Sequence, residues 1–180
     1  MGNCGPESAR LLVHGLTDSK VDEYDLYDWA KRNNAVDQTS EYRNDCNDDP
    51  SKCGGTHTVQ VLEILHGNGV PGAKEISTDR VDLHESAEQI MQRGINEAAG
   101  AGRPVIVPVY GDYTSPGGST QSEARHHWAT VVGVELDSNG NVAAYYMVDS
   151  GGDHPGCGRR VDAKLLGKGL RTSDKAITIP

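Results

Sequence analysis

His127-Trp-Ala-Thr-Val-Val-Gly-Val-Glu-Leu136, Asp137-Ser-Asn-Gly-Asn141 and Val142-Ala-Ala-Tyr-Tyr-Met-Val-Asp149 follow one another without a break. Two runs rich in β-branched and aromatic residues flank a cluster of turn formers, which is the composition of a β-hairpin. If Leu136 pairs with Val142 and the register runs on, Ala129 faces Asp149. His127 then lies diagonally beside Asp149 on one sheet face, and a shift of two would set the pair directly opposite. Only an odd slip puts them on different faces.

Upstream, Pro104-Val-Ile-Val-Pro-Val-Tyr110 reads as a buried strand, followed by a Gly/Ser/Thr/Pro loop from Gly111 to Thr120. Before it the period is helical. Ala87, Ile90, Met91, Gly94, Ile95 and Ala98 make one stripe. Thr56 opens a short helix through Val61, Ile64 and Leu65 that Gly67 and Gly69 stop, and Val36 to Gly55 is a polar loop. Ser19 is placed to cap a helix carrying Val21, Tyr24, Leu26, Trp29 and Ala30. In the first helix Pro6 and Glu7 occupy the first turn and Ala9, Leu12, Val13 and Leu16 follow at helical spacing, so Cys4 lies at a helix N-terminus. Helices fill the first 100 residues and antiparallel strands the rest, the order expected of an α+β domain. The expectation is one domain over 1–180, with a mainly helical lobe over 1–100 and a mainly β lobe over 101–180.

The bulk composition excludes several partners. Lys and Arg number 17 against 26 acids, for a net charge of −9, and no basic stripe forms, so nucleic acid is not expected. The longest apolar runs are strand-length, well short of the roughly 20 residues that span a bilayer. Met1-Gly2-Asn3-Cys4 shows no targeting signal, which reads either as a cytosolic start or as an excised piece of a longer protein.

A thiol attacks only as thiolate, and the positive end of a helix favours that form. Cys4 has this setting. His127, with His126 as its competitor, begins a strand and is rigidly aimed, and Asp149 is placed to fix the imidazole tautomer. Taken singly, such a Cys is usually a small buried hydrophobe, such a His a satisfied polar group and such an Asp a turn former. Their joint arrangement points to nucleophilic catalysis.

The residues that carry this arrangement also resemble a family, the bacteriocin-processing, double-glycine type of papain-like cysteine peptidases and their bacterial relatives. The matching blocks are Asn3-Cys4-Gly5-Pro6-Glu7-Ser8-Ala9, Gly55-Thr56 with the helix ending near Gly69-Val70, Gly102-Arg103-Pro104-Val105-Ile106-Val107, and His127-Trp128-Ala129-Thr130-Val131-Val132-Gly133-Val134 with Val148-Asp149. The resemblance implies a papain-like fold, Cys4, His127 and Asp149 as a catalytic triad acting on an amide bond, and no metal or organic cofactor. It further suggests cleavage after Gly-Gly-like small residues, with the loop from Gly111 to Thr120 as a cleft wall.

Two departures stand out. Relatives carry a Gln several residues before the Cys as an oxyanion donor, whereas here Met1, Gly2 and Asn3 precede Cys4. This reads either as a chain cut from a longer protein with the donor lost or as another group, such as Asn3 or the Cys4 backbone N–H, doing that work. Where relatives have Asp-Pro, this chain has Asp149-Ser150-Gly151. No P-loop accompanies the domain, so a peptide exporter is disfavoured and the resemblance implies a toxin or effector module, delivered to the cytoplasm of a target cell and held in check by an immunity protein. A protein glutamine deamidase or transglutaminase-like enzyme, a leader-processing peptidase and a catalytically degenerate binding domain remain as alternatives. Cys46-x6-Cys53-x3-His57 is too widely spaced for an ordinary zinc knuckle, so no metal site is expected there, and a loop-stapling Cys46–Cys53 disulfide stays open; Cys157 reads as a bystander and the acidic loop Asn44 to Asp49 as a solvated turn.

Overall fold

In a computed structural model of the chain, the residues described are 4–17, 19–35, 56–78, 84–110, 126–149 and 156–179. The apolar spacing at Ala9, Leu12 and Val13 becomes helix α1 (Cys4–Leu16), whose buried side also includes Gly5, Pro6 and Ser8. Helices α2 (Glu23–Arg32) and α3 (Thr58–Gly67) follow, then strand β1 (Lys74–Glu75) and helix α4 (Ala87–Gly100). The rest comprises β2 (Val105–Tyr110), β3 (His126–Leu136), β4 (Val142–Asp149), β5 (Gly156–Asp162), helix α5 (Ala163–Gly169) and β6 (Ile177–Thr178). The strands form one antiparallel six-stranded sheet in the order β1-β6-β2-β3-β4-β5, so the α+β reading holds.

Both faces of this sheet are covered, and the alternation of side chains along each strand decides which residue goes where. Val105, Val107 and Val109 of β2 with Ala129 and Val131 of β3 pack against Met91 and Ile95 of α4 and Leu166 of α5. Ile106 and Trp128 point the other way, into a core with Ala9, Leu12 and Val13 of α1, Leu26 of α2 and Val61, Ile64 and Leu65 of α3. A strand covered on both sides reads as a continuous apolar run, which is why 104–110 carries no polar alternation.

Helix starts were the less legible part. Ser19 does not cap α2; it donates its N–H to Thr17 Oγ1 at 3.2 Å, and the helix begins four residues later. Helix α3 begins at Thr58, not Thr56, because its first free N–H is capped from far away: Thr58 N and Thr58 Oγ1 donate to Asp174 Oδ1 at 3.0 and 3.2 Å. No local sequence pattern reveals a cap supplied by a residue more than a hundred positions away.

The β3–β4 hairpin keeps its expected parity by an unexpected route. Leu136 pairs with Val142 as read from the sequence, but Ala143 is extra on β4, and Gly133 pairs with Tyr146 one register over. Val132 is then extra on β3, and from Val131↔Met147 and Thr130↔Val148 onward the first register is restored. One β-bulge on each strand cancels the other. A single bulge would have sent His127 and Asp149 to opposite faces.

Close approach of α1 to the segment before α3 is set by a glycine. A Cβ on Gly5 would lie 2.4 Å from Thr56 Oγ1, whereas nothing stands within 4 Å of one on Gly15. Gly5→Ala should therefore destabilise the fold by about 1–3 kcal/mol, while Gly15→Ala, on an exposed helix position, should stabilise it by about 0.5–1 kcal/mol. Urea unfolding of the two variants checks this; the same sign for both would contradict the packing described.

Candidate active site

Three elements converge at the start of α1. Cys4 is its first residue and is partly buried against the α1–α3 core. The side chain of His127, at the start of β3, is hydrogen-bonded to Cys4, and the N–H groups of Trp128 and Gly5 also bond to the sulfur. On its other side the ring meets β4, with His127 Nε2 2.5 Å from Asp149 Oδ1. Nδ1 is thereby left as the nitrogen that faces the thiol. Both partners are shielded, with side-chain exposures of 13% for His127 and 8% for Asp149.

Electrostatics follow from this packing. Burial alone would push the Cys4 thiol up, but the hydrogen bond and charge of His127, with the N–H groups of Trp128 and Gly5, outweigh it and hold the thiol below its ordinary value. Burial alone would lower His127; the hydrogen bonds to Asp149 and Cys4, and the negative charge of each, raise it to about 9. Both shifts favour the thiolate–imidazolium form of the pair over the neutral one, with a carboxylate behind the ring. Such a group can attack an electrophilic carbon with sulfur and deliver a proton from the adjacent ring.

Trp128 locks the two sides together. Its carbonyl accepts a hydrogen bond from Ser8 Oγ, one turn along α1 from Cys4, at 3.1 Å. Its indole Nε1 donates to Thr56 O at 2.6 Å, and Thr56 is the residue packed on Gly5. Across the β2–β3 ladder it faces Pro108, which has no N–H to offer. The Arg171 guanidinium lies over the ring, 5.8 Å from its centroid.

Cys4, His127 and Asp149, the residues singled out in the sequence, are thus brought together, with the His127 side chain meeting Asp149; the side chain of His126 lies outside the described ones. Asn3, Cys46, Cys53, the acidic loop Asn44 to Asp49, the loop Gly111 to Thr120 and Ser150 lie outside the described residues, and of Cys157 only the backbone in β5 is described. Sequence reasoning missed Arg171 and Asp174. Both are buried, at 2% and 4% exposure, and the available signal was a pair of opposite charges between Leu170 and the apolar Ala176-Ile-Thr-Ile179.

No protein-family model matches the sequence, and no curated protein matches it either. Among solved structures, one from Bacillus anthracis, provisionally described as a C39-like peptidase, superimposes with a TM-score of 0.64 at 12% identity, covering 99% of this chain and 88% of that one. The fold is that of a C39-like peptidase. At this identity the likeness establishes the architecture, and the chemistry has to be argued from the site itself.

The tie between Asp149 and His127 is measurable directly. An NMR titration of the His127 ring should show a midpoint near 9. Asp149→Asn, which replaces the buried carboxylate with a neutral group of the same shape, should move that midpoint down. A midpoint that stays put in the variant would show that Asp149 does not support the imidazolium.

Proposed function

We propose that this chain is a cysteine peptidase in which Cys4 is the nucleophile, His127 the acid–base group and Asp149 the residue that orients it. The observation that carries the reading is the continuous hydrogen-bonded relay from the sulfur at a helix N-terminus through one imidazole to a buried carboxylate. The C39-like fold agrees with it.

On this reading the Cys4 thiolate adds to the carbonyl carbon of the scissile amide, and the carbonyl oxygen takes the negative charge. As the tetrahedral adduct collapses, the His127 imidazolium gives its proton to the departing amine and the thioester remains. Water then attacks the thioester, His127 accepts its proton, and the carboxylic acid and the free thiolate–imidazolium pair are regenerated. Asp149 stays ionised throughout, holding the ring in one tautomer. The N–H groups of Gly5 and Trp128 at the sulfur support the reading by favouring the thiolate.

The finer reading is a module that acts on a target-cell protein, with cleavage after small residues such as Gly-Gly and a cognate inhibitor protein in the producing cell. It is supported only by the resemblance of the sequence blocks. In a narrow cleft, a forced β-carbon costs about 1–3 kcal/mol, enough for roughly 10- to 100-fold selection.

Cys4→Ala and His127→Ala should abolish turnover, and Asp149→Asn should reduce it much less, whereas Cys46→Ala, Cys53→Ala and Cys157→Ala should retain it. Mass spectrometry of fragments from a panel of unstructured substrates, with Cys4→Ala as control, is the readout. Full turnover in Cys4→Ala would sink the reading, and a gain of about one dalton on intact glutamine without chain cleavage would move it to deamidation.

The pH profile has a sign on each side. Hydrolysis should fall on the acid side as the depressed Cys4 thiol takes up its proton, and fall again above about 9 as His127 loses the proton it must donate. Alkylation of Cys4, which needs only the thiolate, should show the acid limb without the alkaline one.

A further inference from the structure

Arg171 is a buried charge that the relay does not use. It lies just past α5, its N–H donates to Pro108 O of β2 at 3.0 Å, and its side chain is 3% exposed. Nη2 is 2.6 Å from Asp174 Oδ2, and Asp174 Oδ1 caps α3 through Thr58. Nε finds no hydrogen-bond partner among the described residues. A buried ion pair is a poor device for stability, since desolvating two charges offsets their attraction and apolar replacements often match it. An unpartnered N–H makes the balance worse. The placement of Arg171 calls for another reason, and its neighbours supply one. The guanidinium covers Trp128, whose backbone groups bond Cys4 and Ser8, and the cation and the Cys4 thiolate attract each other.

We propose that Arg171 is a positioning residue for the Cys4–His127 pair: anchored by Asp174 and laid over Trp128, it fixes the strand that carries His127 against the helix that begins at Cys4, and it adds a second positive charge on the thiolate. The inference rests on the thiol-peptidase reading and adds a residue outside the relay. Among the described residues, the charged and titratable groups that face Cys4 and Arg171 are His127 of β3 with Asp149 of β4 behind it, Tyr110 of β2, and Asp174 with His57 beside it.

The test is the pH dependence of Cys4 alkylation by iodoacetamide, in the full chain with Cys46, Cys53 and Cys157 replaced by Ala so that one thiol reports. Arg171→Met should move the acid limb up by about half a pH unit, a roughly threefold loss of rate on that limb. Arg171→Lys keeps the charge and should leave the limb in place. Asp174→Asn removes the neutralising partner and should move the limb down. Opposite directions for the two members of one ion pair are what a packing role does not give, because loss of packing from either side weakens the site alike. If Arg171→Met fails to fold, Asp174→Asn decides alone: a limb moved down supports the proposal, and one unmoved or moved up overturns it. A wild-type limb at the position of an ordinary thiol would sink the peptidase reading and this proposal together, whereas a shifted wild-type limb that Arg171→Met leaves unmoved would sink only the role of Arg171.

Discussion

The strict alternation of side chains across β3 is the constraint on which the rest depends. His127 and Trp128 are adjacent, so they must leave opposite faces of the sheet. Trp128 goes into the core shared with α1, α2 and α3, and His127 goes to the face where Asp149 stands. The same dipeptide therefore anchors the strand and presents the imidazole. Because the indole donates to Thr56 O and the carbonyl accepts from Ser8 Oγ, the anchoring bonds end on the two segments that frame Cys4. Aim and attachment are properties of one short piece of backbone.

That alternation also explains why two bulges are tolerated and one would not be. Ala143 and Val132 each insert a residue, on different strands, and each shifts the pairing by one. Bulges add local twist and re-aim a strand. Here the pair lets the hairpin bend while returning the far end to the register in which Asp149 lies diagonally across from His127. The contact at 2.5 Å shows that a diagonal placement is close enough for an imidazole to reach a carboxylate.

Local signals carried much of the fold. The helical stripe at Ala87 to Ala98, the apolar run at 104–110 and the turn cluster at 137–141 each specify their element within a few residues, and each appears where read. The juxtaposition of the three candidate residues was legible for the same reason. Cys4 is marked by its own helix start, and His127 and Asp149 by positions in one hairpin. What could not be read is non-local: the two compensating bulges, the cap of α3 by Asp174, the short strands β1 and β6, and Arg171 over Trp128. These depend on which surfaces meet after folding. A one-dimensional pattern records the preference of each residue for its own backbone, not the identity of a neighbour a hundred positions away.

Folded interiors pair nearly all buried polar groups, and each orphan costs about 1–3 kcal/mol. Among the described residues, Thr56 Oγ1 and Arg171 Nε find no hydrogen-bond partner and lie on two sides of Trp128 at the corner where Cys4 meets His127, while Thr130 Oγ1 and Thr178 Oγ1 are further such atoms within the sheet. Elsewhere in the sheet, positions such as Val107, Ala129 and Val131 are apolar and fully enclosed. The corner where Cys4 meets His127 thus carries unpaired polar groups beside apolar strands that hold them in place. A site whose charges must stay separated in a low-dielectric setting needs rigid neighbours. The sheet, covered on both faces, provides them.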